Sequence, residues 1–366
     1  MKKYLLIVVG FNLFLVACQK NAGNDSSNKL IAQNAIQNAN GVTATTAGYF
    51  DSLFTRYNAG QWTGGDVANS YKLANGNSFW LFGDSFVDTV YPDRHRPFDA
   101  FIHNTIVLTD ANRNFVTTLY GGTPKNPKPF FNAVEPKEYW PNCTFSSADQ
   151  TKIFVMMATI KSTGNGGLFG FQVVGNSVGI LSYPGLTLLS IKDISRNPKV
   201  DWSSGTYEEG DYVYIYGAES TKYNKFMHIM RTSRSNPFNV VQYYNGSVWV
   251  KDSAQSARII GGLSEQYSIF KYNSKYYLLS QASNLSADIY LWDAASPTGP
   301  FTNKRKVYHT PQTSGNIITY NATAHTEFID NGKLLVGYCT NSLDGTDIYK
   351  DADNYRPYFI WLSNWQ

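Results

Sequence analysis

Cysteine is scarce in this chain. Three occur in 366 residues, Cys18, Cys143 and Cys339, too few and too far apart to make a disulfide framework. Nothing among the cysteines and five histidines has the spacing of a zinc site, and Cys143 and Cys339 read as buried free thiols. Charge is sparse as well. Only 16% of residues are charged and the formal net charge is +4, which argues against a polyanion, nucleic acid included, recognised by bulk charge. No apolar run reaches the roughly 20 residues of a comfortable bilayer span. The Gly164-Asn165-Gly166-Gly167 loop lacks the following Lys-Ser/Thr of a phosphate cradle. No long segment holds an apolar period of 3.6. What remains is an all-β chain.

The N-terminus has its own logic. Lys2 and Lys3 precede an apolar stretch from Tyr4 to Val16, and Leu15-Val16-Ala17-Cys18 follows. This is the layout of a secretory signal. Ending at a cysteine, it resembles the lipobox of bacterial lipoproteins. That resemblance implies a signal peptide over 1–17, lipid on Cys18, and a bacterial cell-envelope location, with the outer membrane the expected one. Residues 18–46 are rich in Asn, Ala, Ser and Gly and read as a flexible tether, leaving 47–366 as the folded domain.

Aromatic residues are the abundance here: 15% of the chain, with 26 Tyr and 8 Trp, suited to strands and to sugar-stacking platforms alike. Runs such as Tyr212-Val213-Tyr214-Ile215-Tyr216 and Lys275-Tyr276-Tyr277-Leu278-Leu279 are β-rich. A unit recurs: a polar strand start, an apolar stretch, a tight polar turn, then an aromatic strand. Its turns centre on Gly76, Ala148, Gly210, Ser274 and Gly332, between 58 and 72 residues apart. Five such units predict a five-bladed β-propeller, whose blades bury their faces by stacking on one another.

In a propeller the first strand of every blade lines the axis, so its early residues converge. Counting back from each turn gives Asp66, Asn142, Ser203, Glu265 and His325, all polar. Asp84 ends the strand antiparallel to the one that begins with Asp66, which puts both at one rim. Glu327 shares the face of His325 if that strand is regular. Trp62, Trp140 and Trp202 precede or enter first strands, where a ring could be a sugar platform or plain packing. Arg94, His95 and Arg96 read as a solvated loop, and Glu208-Glu209-Gly210-Asp211 as a hairpin turn on the far side.

Several segments then carry a family resemblance. Trp62-Thr63-Gly64-Gly65-Asp66, Phe82-Gly83-Asp84-Ser85-Phe86 and Asn104-Thr105-Ile106-Val107 are similar to bacterial lipoproteins of the five-bladed propeller glycosidase superfamily. So are Asp211-Tyr212-Val213-Tyr214-Ile215-Tyr216-Gly217, the segment from Glu265 to Tyr272, and Ala324-His325-Thr326-Glu327-Phe328. The catalytic relatives are the arabinanase/xylosidase and invertase/levansucrase groups.

The resemblance implies two-carboxylate hydrolysis of a poly- or oligosaccharide, with Glu265 as acid and Asp66 as base or nucleophile. Asp84 is a substitute carboxylate, and His325, Glu327, Asn142, Trp62 and Trp202 are implied substrate contacts. No cofactor is required, although the family resemblance suggests Ca²⁺ or another ion near His325. The active relatives carry a further Asp between the two, and here blade three offers Ser203-Ser204, with Asp201 in the wrong alternation. A glycan-binding protein using the same axial pocket, and a scaffold with a vestigial one, are the alternatives.

Overall fold

The computed structural model describes residues 36–37, 41–97, 101–165, 169–195, 199–283 and 285–366. The proposed signal peptide, Cys18 and most of the proposed tether lie outside them. Among the described residues no helix is long and apolar enough to cross a membrane.

Five antiparallel sheets follow one another along the chain, each a meander that begins with its innermost strand. Blade one pairs Gly64–Lys72, Ser78–Phe86, Thr105–Thr109 and Phe115–Leu119 in that order. Blade two runs through Lys137–Ser146, Lys152–Ser162, Phe171–Ser182 and Leu188–Ser195. Blade three starts with Asp201–Glu209, Tyr212–Ser220 and Lys225–Ser233, and blade four with Ser268–Tyr272, Lys275–Gln281 and Asp288–Ala294. Blade five is Ile317–Asp330, Lys333–Ser342 and Pro357–Ser363. The fold is the expected five-bladed propeller. Each inner strand turns into its neighbour at the expected centre, and Gly76, at φ +87°, supplies the left-handed residue that the first turn needs.

One boundary moves. Thr43–Thr46, read from composition as the end of the tether, pairs with Pro357–Ser363 and forms an outer strand of blade five. Its threonines favour a strand, but four residues following an Asn-, Ala- and Ser-rich stretch are grouped with the tether by composition. Its pairing is fixed by the partner strand and by Val42 and Ala44, which sink into the blade's core. The ring is thus closed by the two ends of the folded chain.

The second strands are buried on both faces, Ser78–Phe86 almost throughout, because they lie between stacked blades rather than against water. Where blades five and one meet, Phe50, Phe54, Trp62, Trp80, Phe82, Phe328 and Phe359 form one aromatic core. Phe50 and Leu53 enter it from the short helix Gly48–Leu53. Rings of this size bury roughly 150–250 Å² each, so this seam alone accounts for much of the aromatic excess. Cys143 and Cys339 are buried and unpaired.

Candidate functional site at the start of the inner strands

Four of the five inner strands, all but that of blade four, share one irregularity. In blade one the register against the neighbouring strand shifts on both sides of Val67, and Val67 and Ala68 have φ of 74° and 52°. A β-branched residue in the left-handed region is strained, and such strain persists where the surroundings over-determine it. In blade two Asn142 is an extra residue between Pro141 and Cys143. Blade three slips between Asp201 and Gly205, and blade five between Tyr320 and Thr323. Strict two-residue alternation therefore fails where it matters most for the axis.

Asp66 and Asp84 are brought together as expected. A Cβ on Gly83 would lie 2.5 Å from Asp66 Oδ1, so glycine there makes room for the carboxylate. The Tyr320 hydroxyl donates to Asp66 Oδ2 at 2.8 Å, and Asn341 Nδ2 donates to Tyr320 at 3.3 Å. Burial and the charge of Asp84 raise the Asp66 pKa to about 7, against the pull of hydrogen bonds from Tyr320 and Tyr355. Asp84 Oδ1 accepts from Trp140 Nε1 at 3.1 Å and pairs with His103 Nδ1 at 3.1 Å. His103 Nε2 in turn reaches Glu138 Oε1 at 3.1 Å. Burial works against the imidazolium, but the bond to Asp84 and the charges of Asp84 and Glu138 raise its pKa overall. Burial raises the carboxyl of Glu138, with His103 opposing. Trp140 thus belongs to the rim.

A second pair lies at the starts of blades three and four. Asp201 is buried and accepts from Asn176 Nδ2 and Ser203 Oγ, both at 2.6 Å, and from the Ser203 amide at 3.1 Å. Burial, then the charge of Glu265, raises its pKa to about 6 in spite of those bonds. Glu265 accepts from Ser220 Oγ at 3.2 Å and forms an ion pair with Lys225. Strict alternation from Ser203 would turn Asp201 away from the axis. The slip between Asp201 and Gly205 removes its premise, and blade three does supply a carboxylate beside Glu265.

Other expected contacts fall elsewhere. Trp62 is fully buried against Phe54 and Phe82, and Trp202 is buried with Tyr243 at 5.5 Å. Both are packing residues and offer no sugar platform, because the strand starts turn these rings between blades. His325 does not face the axis either. It is enclosed by Trp80 and Phe359 at centroid distances of 5.0 and 5.6 Å, and burial lowers its pKa to about 3. Those surroundings do not fit a cation: two aromatic faces and one Ser70 hydroxyl are poor ligands for Ca²⁺. Among the described residues no group of three His, Cys, Asp or Glu could hold a metal ion.

Asn142 is buried with Oδ1 unpartnered. Arg94 pairs with Asp353 at 2.8 Å and Arg96 lies buried over Phe86, so neither is solvated as the loop suggested. Glu327 lines an axial cavity at the other end of the inner strands, together with Glu208 from the hairpin.

His103, Glu138 and Tyr320 carried no signal in the sequence reading. A histidine one residue before the Asn104 motif, directly after the short strand Phe101–Ile102 that pairs with Ser85 and Phe86, was the available clue.

A family model described as a domain of unknown function (DUF5005) matches residues 48–365. No curated protein sequence matches the chain. Among solved structures, a candidate hydrolase from Bacteroides ovatus is 21% identical with a TM-score of 0.76, the match covering 91% of this chain and 93% of that one. An exo-β-1,3-galactanase from Phanerochaete chrysosporium is 10% identical with a TM-score of 0.50, covering 84% of this chain and 63% of that one. At these identities the likeness is one of fold, a five-bladed propeller.

Proposed function

We propose that this chain, which belongs to the DUF5005 family, is a glycoside hydrolase working at the rim formed by the starts of its inner strands. The observation that carries the reading is the pairing of carboxylates there. Asp66 lies beside Asp84, and Asp201 beside Glu265, and in each pair one member has a strongly raised pKa. Glycoside hydrolysis needs one carboxyl group that still holds a proton and one that does not, and paired carboxylates in unlike surroundings supply both.

The surroundings support roles opposite to those the family resemblance implies. Asp66 keeps its proton to about 7, so at neutral pH it can protonate the leaving oxygen. The glycosidic C–O bond breaks as that proton arrives. Glu265, ion-paired with Lys225, acts on the opposite face, either activating water or attacking the anomeric carbon. Asp201 stands beside it as the group that takes up charge changes. Trp140, held by Asp84, is the aromatic ring at this rim.

The test separates the roles. Reducing-sugar release from a panel of plant, host and microbial glycans identifies a substrate, and aryl glycosides of its sugar then probe the variants. Asp66→Asn should lose about 10²-fold or more on the natural linkage yet far less on an aryl glycoside, whose leaving group needs no proton. Glu265→Gln should lose activity on both and recover with azide. The reverse pattern would restore Glu265 as the acid. Glycan binding that survives both substitutions, with no sugar released by the wild type, would make the protein a glycan-binding propeller. The lipobox at Cys18 supports anchorage at the cell envelope, and a Cys18→Ala chain should then fail to incorporate labelled palmitate.

A further inference from the structure

The axis holds a polar cavity that the proposed hydrolysis does not use. Residues from all five inner strands enclose a cavity of about 380 Å³, within the small-molecule range of roughly 300–1,000 Å³. Asp66, Asp84, Asp201 and Glu265 are not among its lining residues. Its walls come instead from farther along the same strands, Asn69–Lys72 in blade one and Gly205–Glu208 in blade three.

The lining is rich in hydroxyls, among them Ser70, Thr144, Thr206 and Ser268. Thr144 Oγ1 is buried and has no hydrogen-bond partner in the protein, a state that buried hydroxyls rarely keep unless something in the cavity bonds them. The Glu327 carboxyl also lines the chamber, fixed from behind. Ser70 Oγ lies 2.6 Å from His325 Nδ1 and is hydrogen-bonded to Glu327 Oε1. The Ser70 hydroxyl donates to Glu327 Oε1, so its oxygen is left to accept from His325 Nδ1–H. That relay sets the tautomer and leaves Nε2 as the unpartnered, proton-free nitrogen of the ring.

Charge is balanced around this group. Glu208 is paired with Arg234 at 2.7 Å, and Lys271 with Glu209 at 3.1 Å, leaving Glu327 and Lys72 as opposite single charges. The rings of Tyr71 and Tyr207 border the space. Abundant hydroxyls, one fixed carboxylate, aromatic borders and no net charge suit a neutral polyhydroxylated molecule of about one ring.

We propose that this chamber is a second binding site, for a neutral monosaccharide or small polyol, recognised by Glu327, Thr144 and the inner-strand hydroxyls. It does not depend on the hydrolase reading. Calorimetric titration of the full chain carrying Asp66→Asn and Glu265→Gln, with D-galactose, D-glucose, L-arabinose, glycerol and D-galacturonate, tests it with the rim chemistry disabled. At least one neutral probe should bind saturably, and galacturonate more weakly. Adding Glu327→Ala should weaken that binding at least about tenfold. Thr144→Val, which keeps the shape of the side chain, should weaken it several-fold even if the Glu327 variant fails to fold. Absence of binding by every neutral probe, binding tightest for galacturonate, or binding unaltered by Thr144→Val overturns the proposal.

Discussion

The Tyr320 hydroxyl donates to Oδ2 of Asp66 at 2.8 Å, joining blade five to blade one across the seam where the ring closes. Asp66 holds its proton to about 7 in the folded chain but releases it near 4 when unfolded. Between those values the folded state binds more protons, so the contribution of this group to stability falls as pH rises. Asp66→Asn cannot ionise. It should therefore raise the melting temperature at pH 8 by more than at pH 4, a gain on the order of 1–3 kcal/mol at the higher pH. Calorimetric melts at the two pH values decide it, and an equal or larger gain at pH 4 would mean that the proton is not held there.

His325 titrates in the other direction. Burial lowers its folded pKa to about 3, while the unfolded value is near 6.5. As pH falls from about 6.5 to 3 the unfolded chain takes up a proton that the folded chain refuses, and stability is lost over that interval. Glu327, linked through Ser70, works oppositely because burial raises its pKa. Urea midpoints measured from pH 7 to pH 4 should fall more steeply for the wild type than for His325→Gln. Parallel slopes would remove His325 from the account of acid sensitivity.

The closing strand can be tested by truncation. A chain lacking residues 1–35 should melt close to the full chain. One lacking residues 1–46 loses Thr43–Thr46 and its pairing with Pro357–Ser363, and uncovers Ile360 and Leu362. A loss on the order of 3–5 kcal/mol is expected, from the ladder bonds and the apolar burial together. Near-equal melting of the two truncated chains would show that blade five stands with its remaining strands.

The architecture was legible because it rests on local signals. Turn chemistry at Gly76, Ala148, Gly210, Ser274 and Gly332 and the strands that follow are written in short segments, and they located all five hairpins. The pairing of Asp66 with Asp84 followed from antiparallel geometry alone. Trp62, Trp202 and His325 misled because their orientation depends on the neighbouring blade, which no single segment encodes. Asp201 was set aside by an alternation rule that its own bulge breaks. His103 and Glu138 meet only through the packing of blade one on blade two, so neither could be singled out beforehand. Thr43–Thr46, for all its β-branched threonines, is too short to stand out from the polar stretch before it without its partner.

The closure of blade five also orders events in time. Thr43–Thr46 is made long before its partner, Pro357–Ser363. The first of the pair must wait for all four other blades before it finds its place, a contact of very high sequence separation and so a slow one. Until then the aromatic seam between the first and last blades has no second wall, and a nascent chain displays it to whatever chaperone attends it.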